Sequence, residues 1–484
     1  MSFFEDLLGH PAQKDPLTYP PQAVYLYNTM AKAKELFAPR GKVVKMYNCG
    51  PTVYGEQHIG NLSMFVFTDL LRRTLEFNGY PVKQVINITD VGHLVSDGDD
   101  GDDKMTKGLK REKMKLTVEN MKLLAERYAT QFIDDLGKLN IDTAKISFPR
   151  ATNHIPGQVA LIKTLDEKGY VYKTSDGLYF DTTLFKDYGK LGNIDIEALK
   201  EGARVDANSE KRHPADFALW KFNEKLGWDT PWGKGFPGWH IECSAMARSE
   251  LGEQIDIHTG GIEHIPVHHN NEIAQSEAAF GKKPFSLIWM HREHLQMNDR
   301  KIAKSDGNVV YLGEFEEKSI DPIVLRYWLL TSHYRTPSNF TWEALTGAET
   351  ALLRLRLAYQ SAAAKAGAER THGVALETFH RAMNDDIDTP KALAALWQMM
   401  GNDALSPSEI AGTLEIADTI LGINIKAVEA QVEVTPELEV ILKKRKEARD
   451  AKDWKQSDAL RDELKGMGFI VADSADGAQT LAKA

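Results

Sequence analysis

From Val43 the apolar positions first form a short β-prone run, VVKMYN, and then give way to a glycine- and proline-punctuated stretch, CGPTVYGEQHIGN. They return at helical spacing in SMFVFTDLLRRTLEFNG and again as a strand in VKQVINIT. This strand–helix–strand order predicts a parallel α/β sheet with a right-handed crossover. In such sheets ligands sit at the carboxyl ends of the strands, where Cys49 and His58 fall. Residues 112–139 read as one long amphipathic helix, and from about Asn153 the pattern changes to a mixed stretch with short strands such as LYFDTT, consistent with an inserted module. QIDIHTGG and FSLIWMH resume the α/β pattern, and the latter leads into the loop QMNDRKIAKSDGN. Beyond Asp321 helices dominate, at 321–333, 343–365, 376–384, 389–401 and 407–421. A linker around Ala427–Thr435 then precedes a small unit of two helices and one strand, MGFIVAD, and the final eight residues are expected to be disordered.

The chain has 484 residues, 42% of them hydrophobic, enough for a sizeable core and two to four domains. It has no apolar run of about 18 residues, and its start, MSFFEDLLGHPAQKD, lacks the basic and apolar regions of a signal peptide. A cytoplasmic protein without membrane association is expected. The formal charge of −10 argues against a general polyanion binder, which carries a basic excess. Between Lys443 and Lys465 nine lysines and arginines face six acids, which reads either as a solvated amphipathic face or as a local basic stripe able to hold a nucleic acid. The acidic run SDGDDGDD, residues 96–103, departs from a calcium loop because glycine stands where an oxygen ligand is needed. It reads as a solvated loop.

Two cysteines in so long a chain cannot build a disulfide framework, and both fall in turn-like segments. Cys49 stands in YNCGP and Cys243 in GWHIEC; a third segment, VHHNNE, places His268 and Glu272 four apart, on one face of a helix. Two thiolates, an imidazole and a carboxylate suit tetrahedral zinc. The cysteines are 194 residues apart, so the fold must assemble the site. His58-Ile59-Gly60-Asn61 opens the first helix, whose unpaired N–H groups and positive dipole end suit phosphate. Gly60 allows a flat nucleotide to approach the backbone, and His58 and Asn61 can donate to phosphate oxygens. Lys301 and Lys304 lie three apart on a glycine-ended loop, placed to follow charge developing on a pyrophosphate leaving group; a surface lysine pair is the plainer reading of that segment alone.

Taken together, these motifs resemble the class I aminoacyl-tRNA synthetases, with HIGN in the place of HIGH and KIAKS in that of KMSKS. More narrowly, CGPTVY, INITDV, PRATNHI, GWHIECSAMA, DIHTGG, HHNNEIAQSEA and ARDAKDWKQSDALRDELKGMGF resemble the cysteinyl-tRNA synthetases from about residue 40 to 471. The resemblance implies a Rossmann-type parallel-sheet catalytic domain, residues 22–152 and 236–310, interrupted by a connective module at 153–235. A stem-contact region at 311–345, a tRNA-binding helical bundle at 346–426 and an anticodon-recognition unit at 435–484 would follow. It further implies zinc on Cys49, Cys243, His268 and Glu272, with Trp239 and His240 walling the amino-acid pocket. ATP with magnesium would be held and activated at His58, Gly60, Asn61, Lys301 and Lys304, and the partners would be L-cysteine and tRNA(Cys), served by a monomer. Asn61, Ile302, Ala303 and Asn270, and the segment IEHIPV, depart from the family pattern. An amide-forming cysteine ligase of the mycothiol-synthesis type would share the zinc and adenylation chemistry, but has no need of a helical bundle and a basic terminal unit.

Overall fold

The structure, a computed structural model, describes residues 20–91, 104–194, 210–298, 300–301, 308–427, 434–473 and 479–483. The acidic run 96–103 and the loop segment 302–307, with Lys304, lie outside them. Two compact units are present, one comprising Val24–Leu312 with Tyr334–Asn339, the other Gly313–His333 with Phe340–Ala484.

The first unit opens with an antiparallel pair, β1 (Tyr25–Asn28) and β2 (Ala33–Leu36), that the hydrophobic pattern does not announce. Strand β3 (Val44–Asn48) then leads through the Cys49 turn into α1 (Ile59–Phe77), and β4 (Val82–Ile86) returns parallel to β3. His58 caps α1, its Nδ1 accepting the Asn61 amide at 3.3 Å. The helix read over 112–139 is α3 (Val118–Lys138), which begins six residues later than expected and follows a separate α2 (Lys104–Arg111). Lys113 takes a left-handed φ of +56°, and the Thr117 hydroxyl accepts the Asn120 amide at 3.1 Å, so one helix stops and a newly capped one begins. Strand β5 (Ile146–Ser147) completes this side of the sheet.

Helix α4 (Ile155–Glu167) precedes a four-stranded antiparallel sheet in sequential order: β6 (Val171–Lys173), β7 (Gly177–Phe180), β8 (Phe217–Phe222) and β9 (Gly235–Pro237). The chain then re-enters the parallel sheet through α5 (Trp239–Leu251), β10 (Ile255–Gly261), α6 (His268–Phe280) and β11 (Ser286–Arg292), before β12 (Leu295–Met297) and β13 (Arg300–Lys301). The parallel sheet has the order β11-β10-β3-β4-β5, so the direction of strand addition reverses between β3 and β10. That reversal is where open α/β sheets bind ligands. A buried polar ladder fixes it: Gln84 Nε2 donates to Asn48 Oδ1 at 2.8 Å, and Asn48 Nδ2 donates to Thr259 Oγ1 at 2.7 Å. Tyr47, Val85, Ile241, Met246, Ile255 and Trp289 are among the residues packed in the core beside it.

The second unit is helical, with α7 (Gly313–Glu317), α8 (Pro322–Leu330), α9 (Trp342–Ala366), α10 (Val374–Asn384), α11 (Thr389–Met400) and α12 (Pro407–Leu421). Asp321, Thr341, Asp388 and Ser406 each accept a first-turn amide as N-caps, which explains why these boundaries follow the sequence closely. The terminal part packs α13 (Pro436–Asp450) against α14 (Trp454–Gly466) and a hairpin, Phe469–Asp473 with Gln479–Lys483. Disorder expected for the final residues is therefore incorrect for 479–483: Leu481 is buried with Leu438, Ile441, Leu464 and Val471, and its strand pairs along its full length.

Candidate metal centre

Cys49 follows the last residue of β3, and its amide donates to the Thr259 carbonyl of β10 at 3.1 Å. The adjoining turn requires glycine, since a Cβ on Gly50 would lie 1.7 Å from the Asn87 carbonyl oxygen. Cys243 lies in the second turn of α5; His268 is the first residue of α6, and Glu272 stands one turn later. All four are buried, and one ligand atom from each lies within 4.8 Å of the others. His268 Nε2 is 3.0 Å from Glu272 Oε1, and Cys49 Sγ is 3.7 Å from the same oxygen. The four candidate ligands thus come together from three separate elements.

Around them stand histidines that spacing alone did not single out. His258 Nε2 is 3.0 Å from Glu272 Oε2, and His269 Nε2 is 3.3 Å from Cys49 Sγ. His269 Nδ1 in turn meets His291 Nε2 at 2.7 Å, and His291 Nδ1 meets Thr29 Oγ1 at 2.8 Å. A second grouping, Cys49, His258, His269 and Glu272, consequently also satisfies ligand distances. The signal available in the sequence was position, and only for His291, which stands next to the carboxyl end of β11; His258 lies at the middle of β10. Close approach here demands Gly260, whose Cβ would come within 2.6 Å of His264 and His269 ring atoms.

The charges are coupled. Burial raises the Cys49 thiol well above its ordinary range, helped by Cys243 and Glu272. The Cys243 thiol is lowered, chiefly by the hydrogen bond from Cys49, so one sulfur holds the proton that the other gives up. For His268, burial opposes protonation, but Glu272 and Cys243 outweigh it and push the imidazolium up to about 10. Burial likewise opposes ionisation of Glu272, and His258 and His268 overcome it, holding the carboxyl well below its usual range. His269 lies well below its ordinary value and His291 falls to about 3, both through burial first and neighbouring histidines second. The Glu272 carboxylate and the lowered Cys243 thiol thus stand beside the neutral rings of His269 and His291, and the four donors suit in number and softness a divalent cation such as zinc.

Trp239 is half-buried with its ring centroid 4.3 Å from that of His268, and buried His240 meets His268 through facing Nδ1 atoms at 2.9 Å. At the start of α1, His58 and Gly60 are partly exposed and Asn61 is exposed. Lys301 contributes its backbone to β13, while Lys304 lies outside the described residues.

Residues 37–350 match the family model for the tRNA synthetases class I (C) catalytic domain, and residues 431–480 match the cysteinyl-tRNA ligase anticodon binding domain. The fold is also that of Mycobacterium tuberculosis methionyl-tRNA synthetase in complex with methionyl-adenylate, with a TM-score of 0.57 at 15% identity over 79% of this chain and 90% of that one. Sheet, insertion and family match define a class I aminoacyl-tRNA synthetase. The chain is 45% identical to Cysteine--tRNA ligase 1 of Burkholderia lata over 93% of its length and 95% of the relative's. It is 40% identical to the Cysteine--tRNA ligase of Thermus thermophilus over 93% and 98%. The chain belongs to the cysteine–tRNA ligases.

Proposed function

We propose that this chain activates L-cysteine with ATP, releasing pyrophosphate, and transfers the cysteinyl group to the 3′ end of tRNA(Cys). The observation that supports it most is the convergence of Cys49, Cys243, His268 and Glu272, drawn from a strand turn and two helices, into one buried group. These four would hold zinc. Bound there, zinc would supply a soft Lewis acid that favours the thiolate of cysteine over the hydroxyl of serine, a near-isostere that ordinary contacts discriminate poorly. The pair of thiolates favours this ligand set over the overlapping one with His258 and His269. Those two histidines instead orient ligands, His258 through Glu272 Oε2 and His269 through the Cys49 sulfur.

Trp239 and His240 would wall the amino-acid pocket, the ring of Trp239 lying against His268. Attack of the cysteine carboxylate on the α-phosphate needs no enzyme nucleophile, so His58, Gly60 and Asn61 at the head of α1, with Lys301 and Lys304, would act by positioning and neutralising the phosphates alongside magnesium. Segments 22–152 and 236–310 would form the catalytic domain around the 153–235 module; 311–345 would contact the acceptor stem, 346–426 the tRNA body and 435–484 the anticodon. The match of residues 431–480 to an anticodon-binding domain weighs against the amide-forming ligase.

The test is elemental analysis of wild type and Cys243→Ser, followed by cysteine-dependent ATP–pyrophosphate exchange and charging of a tRNA(Cys) transcript. About one zinc per wild-type chain is expected, with loss of zinc and weaker selection against serine in the variant. A metal-free active protein, or exchange without charging, would overturn the reading.

A further inference from the structure

The last residue of β11, Arg292, is a buried cation, 6% exposed. Its Nε donates to Ser63 Oγ at 3.0 Å. Ser63 is itself buried and donates its hydroxyl to the Gly60 carbonyl at 2.7 Å, so the serine oxygen is already committed as a donor and receives the guanidinium through a lone pair. The arginine is thereby docked behind the first turn of α1, the turn that begins with Ile59, Gly60 and Asn61.

Among the described residues no carboxylate pairs with Arg292. Its neighbour Glu293 turns Oε1 to the amide of His294, at 2.9 Å. Three other buried arginines are matched by carboxylates, Arg72 by Asp69, Arg356 by Asp321 and Arg445 by Asp473, and a fourth, Arg326, donates its Nε to the Leu421 carbonyl. Burial alone, with no acid offsetting it, lowers the Arg292 guanidinium to about 10. Among the described residues this buried, always-charged fork spends only Nε, on a neutral hydroxyl, and its two terminal nitrogens have the geometry that donates to two oxygens of one anion.

We propose that Arg292 is a nucleotide-phosphate ligand: its terminal nitrogens and the head of α1 together form one anion site, which takes a phosphate of ATP. This role rests on the ATP-dependent activation described above. It also accounts for a departure in the motif. HIGN ends in Asn61, a neutral donor, where HIGH offers a histidine that can carry charge, and Arg292 places a permanent cation behind that same turn. Pyrophosphate release then leaves the arginine facing a phosphate that remains on the adenylate.

The experiment is titration of the full chain with ATP, adenosine and L-cysteine separately, in wild type, Arg292→Met, Arg292→Lys and Ser63→Ala. Charge-assisted bidentate hydrogen bonds correspond to about tenfold or more in affinity. Arg292→Met is therefore expected to weaken ATP binding by that factor while leaving adenosine and cysteine unchanged. Arg292→Lys should recover part of the loss, as an ammonium keeps the charge and loses the fork. Ser63→Ala, which frees the guanidinium from its mooring, should show a smaller loss in the same direction. Equal losses for ATP and adenosine would make Arg292 a brace of the pocket. Unchanged ATP affinity would make it a structural cation, and a loss confined to cysteine would assign it to the amino-acid carboxylate; each overturns the proposal. If Arg292→Met does not fold, Arg292→Lys decides alone, since unaltered ATP affinity there removes the phosphate fork. A wild-type chain that binds neither ATP nor adenosine would instead refute the nucleotide reading itself.

Discussion

Each oxygen of Glu272 faces a histidine: Oε1 lies 3.0 Å from His268 Nε2 and Oε2 lies 3.0 Å from His258 Nε2. The carboxylate therefore sets the charge of its neighbours as well as offering a ligand. With His268 raised to about 10, the metal-free protein carries a proton on that ring throughout the neutral range. A metal taking that nitrogen must displace the proton, so affinity rises with pH until pH passes the ring's value near 10. Zinc titration of the apoprotein with a competing chelator, repeated from pH 6 to pH 8, should thus show tightening of at least about tenfold per pH unit. Glu272→Gln removes the charge that holds this proton, and should both weaken zinc and flatten the slope; a slope unchanged by the substitution would separate Glu272 from the centre. Of these groups, His268 and Glu272 were legible because helical spacing puts them on one face, and the two cysteines because they are the only two in the chain. His258, His269 and His291 were not, since their contacts join different strands and helices and no local period records that.

In α10 the buried His380 ring reaches Asn384, one turn on, with Nε2 and Nδ2 at 3.2 Å. Burial lowers this imidazole to about 4, against an ordinary value near 6.5. The folded state thus disfavours the proton and the unfolded state accepts it. Its stabilising contribution is full above pH 6.5 and is lost progressively as pH falls toward 4, by up to about 3 kcal/mol. Hydrogen exchange within α10 should therefore accelerate between pH 6.5 and 4 beyond the intrinsic chemical trend, and His380→Leu should remove that excess. If the excess persists, another group controls the acid response of the bundle. Helices of this unit were readable because their caps are local: Asp321, Thr341, Asp388 and Ser406 each precede an apolar periodic run. The helix read over 112–139 begins only at Val118, because the Lys113 turn and the Thr117 cap delay its start. The β1–β2 hairpin escaped for the opposite reason. Its strands have four residues each, and Leu36 is exposed, so no strong alternation marks them.

On the scale of the whole chain, the class of fold was legible in the sequence, whereas which cations of the terminal basic run stay exposed was not. Arg445 is buried and paired with Asp473 and Gln479, where it ties α13 to the terminal hairpin, and Lys465 is held by Glu349 at 3.1 Å. Lys443, Lys444, Lys446, Lys452 and Lys455 remain exposed and are the groups able to meet RNA phosphates. The terminal part meets α9 where Ile470 packs beside Leu353 and Leu357, next to the bonds of Lys465 to Glu349 and Thr346. The remaining helices carry their own caps, so ending the chain after residue 427 should leave them folded. Every candidate nucleotide and metal residue precedes residue 310, so pyrophosphate exchange should persist in the truncated protein. Charging of tRNA(Cys) should fall, and the salt dependence of tRNA binding should flatten, because each lost phosphate contact removes a released counterion. Exchange and charging compared for both forms at two salt concentrations provide the measurement: charging and a salt slope that survive truncation would show that these lysines do not contact the tRNA.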